Sequence, residues 1–304
     1  MSRDEVTSTP AQSSARSVGL VLAASLAFAT SAPLSKLVAP MDPIFIALVR
    51  VIVAASLLSL WDARGLVRAV RQLGWSTAMR IIAGGALLGA HFGLFQWGLS
   101  KTSLPAAVSL VALEPLSVVL AAWMLFRLRP SRLEGLGLGV ATAGALTIGT
   151  QASGAGEHTL AGDGIVLAAV MLFGFYVCAS RSLVNQLSAI HSAPLVYAVS
   201  AIVLATWLGI SSQFSAPSFA SLSSNQLFGL LALALVPTVI GHTLVQLGAR
   251  FLRPSLVALV CPGETLGSAA LGALALSIVP TATEAIGGLI ILAGAGIAIA
   301  AQSK

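Results

Sequence analysis

The chain has 304 residues, 57% of them apolar and only 9% charged, with a formal charge of +6. Soluble domains carry roughly a quarter charged residues, so a soluble fold is excluded, and the apolar residues gather into segments of about 18 to 24, each long enough to cross a hydrocarbon layer of about 30 Å as a helix. The positive charge does not mark a nucleic-acid partner, because the arginines lie in short loops between apolar segments rather than on one polar face.

Met1 to Ser17 is polar, rich in Ser and Thr, without periodicity, and reads as a disordered tail. The first apolar segment runs from Val18 to Leu37; its A-F-A-T-S-A imitates a signal-peptidase site, but the segment has a counterpart later in the chain and is kept as a span. Further spans are expected at Pro43 to Trp61, Ile81 to Leu99, Leu104 to Phe126, Leu133 to Gly149, Gly164 to Ser182, Ala193 to Ser211, Gln226 to Ala249, Pro254 to Ile278 and Glu284 to Ala301. The predicted architecture is therefore an all-α polytopic membrane protein with ten transmembrane helices and membrane lipid as its solvent. Its longest connectors, Asp62 to Arg80 and Ser212 to Asn225, leave no room for a soluble domain.

Positive charge is retained on the cytoplasmic side. Of the 16 lysines and arginines, only Lys36 and Lys101 fall opposite the termini, and Arg50 lies within a segment. Both termini are expected in the cytoplasm, with the chain in the inner (plasma) membrane. Cys178 and Cys261 both fall inside apolar segments, so no disulfide is expected.

The first five segments (18 to 150) echo the last five (162 to 301) in order. Phe28 with Ser35 and Lys36 recurs as Phe173 with Ser180 and Arg181; Pro43, Ala47 and Ala54 recur as Pro194, Ala198 and Ala205. His91, Gln96 and Gly98 are matched by His242, Gln246 and Gly248, and L-P-A-A-V-S-L-V-A-L-E-P by R-P-S-L-V-A-L-V-C-P-G-E, with Glu114 and Glu264 one period of 150 apart. Glu134, Gly137 and A-G-A at Ala143 to Ala145 return as Glu284, Gly287 and A-G-A at Ala293 to Ala295. Because five is odd, the second copy enters the membrane in the opposite sense. The expectation is two inverted five-helix repeats, an arrangement that suits alternating access.

These motifs, with F-A-T-S-A-P-L-S-K in the first segment and A-L-V-R in the second, resemble the drug/metabolite transporter superfamily of the EamA-domain type over everything after about Ser17. The resemblance implies a secondary transporter, and it is most similar to bacterial amino-acid and metabolite exporters, aromatic amino-acid exporters among them. Export of an amino acid is what that resemblance implies; export of drugs or other metabolites, uptake, and a channel are the alternatives. One departure is that Arg50 has no basic counterpart at Ala201.

A charged side chain near the bilayer centre costs about 2.5 to 3.5 kcal/mol on insertion scales. Arg50 therefore needs a reason, either a fixed interhelical partner or an anchor for a substrate carboxylate, which its planar fork suits. Glu114 and Glu264 lie beside Pro115 and Pro262; a proline-bent helix with a buried carboxyl can serve as a gate and proton carrier, or the carboxyl is simply paired with a neighbouring helix. His91 and His242, with Gln96 and Gln246 beyond them, are expected to face a common central space and to contact a polar small-molecule substrate, with Trp97 and Tyr176 on its wall. No further Cys, His or carboxylate completes a metal site at suitable spacing, and no cofactor is expected. No H-E-x-x-H or G-x-S-G is present and no aspartate lies within an expected span, which disfavours an intramembrane enzyme. The glycines of the fifth segment (Gly135, Gly137, Gly139) and the tenth (Gly287, Gly288, Gly294, Gly296) suit close helix packing, either as a scaffold within a monomer or as a homodimer face.

Overall fold

The computed structural model describes residues 10–150, 158–183, 186–211, 222–245 and 260–302, and among them every regular element is a helix. In chain order these are α1 (Pro10–Ala29), α2 (Ser31–Leu37), α3 (Pro43–Trp61), α4 (Ala63–Arg71), α5 (Trp75–Leu99), α6 (Leu104–Val111), α7 (Glu114–Phe126), α8 (Arg132–Gly149), α9 (Leu160–Arg181), α10 (Ala189–Ile210) and α11 (Ser224–Leu233). A π-helical segment (Ala234–Gly241) continues α11, and α12 (Val260–Leu276) and α13 (Ala282–Gln302) follow. Six helices among the described residues are long and apolar enough to cross a membrane, or seven if α6 and α7 are taken as one broken span.

The helix boundaries follow local chemistry. Asp42 starts α3 by accepting from the backbone N–H groups of Ile44 and Phe45, with Pro43 in the first turn where its missing N–H costs nothing. Ser131 with Glu134 closes a capping box on α8, and Thr281 with Glu284 makes the same reciprocal pair of bonds at α13. The expected bend at Pro115 is present: α6 and α7 meet at 45° beside it, where proline offers no N–H to the carbonyl four residues back. At Pro262 the residues preceding α12 lie outside the described set, so no bend is assigned there.

Two differences from the expected segments stand out. The first helix begins at Pro10, so Pro10 to Ser17 belong to a helix rather than to an unstructured tail; proline at a first turn is pre-organised for helix, and the following Ala, Gln and Arg are good helix formers. The connector from Asp62 to Arg80 contains α4 and the first two turns of α5.

Contacts run between the two halves more than within them. Helix α5 packs on α9 and α10, α3 on α10 and the π segment, α7 on α9, α1 on α12 and the π segment, and α8 on α13. The α8 and α13 seam is backbone against backbone. A Cβ on Gly137 would lie 2.6 Å from the Gly294 carbonyl oxygen, and one on Gly294 2.6 Å from that of Gly137. Gly144 and Gly287 make the same mutual approach, at 2.6 and 2.8 Å. These glycines form a scaffold inside the protomer, whereas Gly135, Gly139 and Gly296 face open space.

Candidate functional site

Arg50 sits at the centre of the fold, 2% exposed, on the face of α3 that meets the π segment. Its Nε donates to Thr238 Oγ1 at 2.9 Å and its Nη1 to Ser31 Oγ at 3.4 Å, while the guanidinium carbon lies 4.3 Å from the centre of the Phe92 ring. A desolvated cation over an aromatic face gains about 2 kcal/mol. Among the described residues, two of the five guanidinium N–H groups are thereby engaged. Glu264, one helical turn into α12, is its electrostatic neighbour.

Thr238 is the hinge of this arrangement. Its hydroxyl donates to the Leu233 carbonyl five residues back at 2.8 Å, the spacing of a π turn, and its own carbonyl accepts from Tyr197 Oη at 3.2 Å. Pro237 within the segment removes a donor from the ladder, so the wider turn is held by side chains from α3 and α10. Such segments recur at functional sites.

The two histidines occupy equivalent surroundings. His91 lies 5.3 Å from Phe173 and His242 4.9 Å from Phe28, ring centre to ring centre, so each histidine of one half meets the echoed phenylalanine of the other. His91 Nδ1 is 2.8 Å from the Ala169 carbonyl, which can only accept, so that nitrogen carries the hydrogen. His242 packs edge-on against Phe92 and Tyr197 at 5.7 and 6.1 Å, linking it to the Arg50 site. Tyr176 is buried beside Phe173 and within electrostatic reach of Tyr197.

Glu114 is buried at the α6 and α7 bend, where it accepts from Cys261 Sγ at 3.5 Å and has Glu264 as an electrostatic neighbour. The structure thus brings Arg50, His91, Tyr176, His242, Glu114 and Glu264 into one cluster. Gln96 joins it indirectly: its Nε2 donates to Ser35 Oγ at 2.8 Å, Ser35 donates to the Ser31 carbonyl, and Ser31 holds Arg50. Trp97 does not line the cluster. It is 38% exposed and meets Trp207 edge-on at 6.1 Å on the outside of α5 and α10, because the residue after Gln96 lies about 100° around the helix from it. Gln246 lies outside the described residues.

A second polar cluster occupies the end of the bundle away from the arginine-rich loops. Lys36 Nζ donates to the Thr102 carbonyl at 3.1 Å, and Thr102 Oγ1 to Asp163 Oδ1 at 2.5 Å. His158 lies 2.9 Å from Asp163 Oδ2 and 3.7 Å from Glu284 Oε1, which also accepts from Ser103. Asp163 is buried in the first turn of α9, so an aspartate does lie within an apolar helix; Thr159 caps the helix early enough to include it. Sequence reasoning passed over this network because its members come from five separate elements. The signal was the sequence echo at Glu284 and Lys36, each a charged residue at the end of an apolar run.

Residues 15–150 match the model of the EamA-like transporter family. No curated protein matches the chain. Among solved structures 19 chains match; one crystal structure superimposes with a TM-score of 0.66 at 19% identity, over 93% of this chain and 96% of that one, a likeness of fold alone.

Proposed function

We propose, for a multi-pass membrane protein whose residues 15–150 belong to the EamA-like transporter family of the drug/metabolite transporter superfamily, that the chain is a secondary transporter exporting an amino acid across the inner (plasma) membrane. The reading takes the bundle as ten spans in two inverted five-helix repeats with both termini cytoplasmic. Its support is the exchange of contacts between halves: α7 on α9 is answered by α12 on α1, α5 on α10 by the π segment on α3, and Phe173 on His91 by Phe28 on His242. Two similar halves meeting at one site can trade conformations, which is the requirement of alternating access.

The observation that carries the substrate class is the juxtaposition of Arg50 with Glu264 and Glu114 amid Phe28, Phe92, Phe173 and Tyr197. In this reading the remaining N–H groups of Arg50 take a carboxylate, a glutamate takes the ammonium group, and the rings take an aromatic or apolar side chain. In this reading Glu264 neighbours Arg50 and Glu114 neighbours Glu264, the two glutamates exchange protons, and the helices that carry Pro115 and Pro262 gate the site. The test is reconstitution with labelled amino acids, sugars and cationic drugs. Saturable flux and counterflow of amino acids are expected; saturable flux of another class alone overturns the substrate assignment, and flux without saturation or counterflow overturns the carrier mechanism.

A further inference from the structure

The short helix α4 is neither a span nor a simple turn. It follows α3 after a break at Asp62, whose carboxylate accepts from the N–H of Gly65 at 2.9 Å and lies 3.0 Å from His191 Nε2 at the start of α10. Ser188 Oγ lies 2.8 Å from the other ring nitrogen of His191 and holds the imidazole in place. One side of α4 is therefore pinned to the bundle through Gly65, which is buried.

The other side is left open, and its residues are sorted. Over nine residues at 100° per residue, Arg64, Arg68 and Arg71 fall within an arc of about 60°, with Val67 about 40° beyond its edge and Val70 about 60° further round. The two valines are 50% and 46% exposed and all three arginines are exposed. Among the described residues no carboxylate forms an ion pair with any of the three arginines; Asp62 bonds His191 and is an electrostatic neighbour of Arg68, whose Nε also donates to the Arg64 carbonyl at 3.4 Å. Trp61 and Trp75 flank the helix at 80% and 79% exposure, as tryptophans do where a membrane meets water. An apolar strip beside a basic one, on a short helix between two exposed tryptophans, is the pattern of a helix lying in the headgroup plane.

We propose that α4 is a docking surface for anionic phospholipid headgroups, its arginines binding phosphate and its valines dipping among the acyl chains of the leaflet on the arginine-rich side. The helix would select lipids by charge, and neutralising each arginine would weaken association with an anionic surface about fivefold.

The full chain, with Trp97, Trp123 and Trp207 replaced by Phe so that Trp61 and Trp75 report, is placed in vesicles of phosphatidylcholine containing one fifth brominated phosphatidylglycerol, or in the mirror mixture with the bromine on an equal share of the choline lipid. Quenching greater with the brominated glycerol lipid is expected, falling to equality in Arg64→Gln/Arg68→Gln/Arg71→Gln and in molar salt, and surviving in the triple lysine variant. Should the triple glutamine variant not fold, each single Arg→Gln change must lower the ratio in its own right. Equal quenching by the two brominated lipids in the starting protein, or a ratio that neutralisation leaves unchanged, overturns the proposal. None of these readouts depends on a transported substrate.

Discussion

Glu134 and Glu284 sit one repeat period apart, and each closes a capping box at the start of a glycine-rich helix. There the likeness ends. Glu134 is half-buried and, among the described residues, bonds only with Ser131, whereas Glu284 is 4% exposed and also joins Ser103 and His158. The same local sequence thus does one job in the first half and two in the second. Arg50, whose counterpart in the sequence echo is Ala201, differs in the same way at the centre: the glycines of the α8 and α13 seam recur in both halves while this charge does not.

The largest effect is expected at the α8 and α13 seam. Gly144→Leu places a side chain where a single Cβ already lies 2.6 Å from the Gly287 carbonyl, and the helices must separate; overpacking of this kind costs about 3 kcal/mol or more, with loss of the monodisperse peak on size exclusion as the check. At the unmatched centre, Arg50→Met keeps the volume but removes the charge-assisted bonds to Thr238 and Ser31 and, in the proposed function, the anchor for a carboxylate. Bonds to a charged group contribute about 1.5 to 3 kcal/mol, so on that proposal saturable amino-acid flux should fall about ten- to a hundredfold, read in proteoliposomes. The two glutamates sharpen the comparison further: Glu284→Gln should lower stability by about 1 to 3 kcal/mol, and Glu134→Gln by less than about 1 kcal/mol as an ordinary capping change, measured as thermal midpoints side by side. The smallest effect is a pH effect. The His191 hydrogen bond, then the Gly65 N–H, hold the Asp62 carboxyl below its usual range. A lowered carboxyl contributes stability above its unfolded pKa and loses it as pH falls through the folded value. Asp62→Asn should therefore lower the thermal midpoint slightly near neutrality, with the difference from the starting protein vanishing as pH falls through the folded carboxyl's range.

The sequence made the helices, the bend at Pro115 and the echo of His91 with His242 legible, because proline chemistry and repeated polar residues stand out in an apolar chain. It did not reveal that Trp97 faces outward, since a helix apolar on every side offers no periodicity from which to choose a face. Thr238 was equally hidden: a π turn adds one residue to a ladder and is set by Arg50 and Tyr197, far away in the chain. Asp163 escaped because it lies at a boundary: the apolar segment counted from Gly164 begins four residues after the helix does, at Leu160.

The glycine seam between α8 and α13 also bears on biosynthesis. Nearly half the chain separates its two sides, and α13 leaves the ribosome after every other helix among the described residues. Segments appear in order from the N-terminus during synthesis, so α8 is made before the helix that packs against its Gly137 and Gly144, and the seam closes only once α13 exists. A polypeptide stopped before Ala282 would lack one side of that seam.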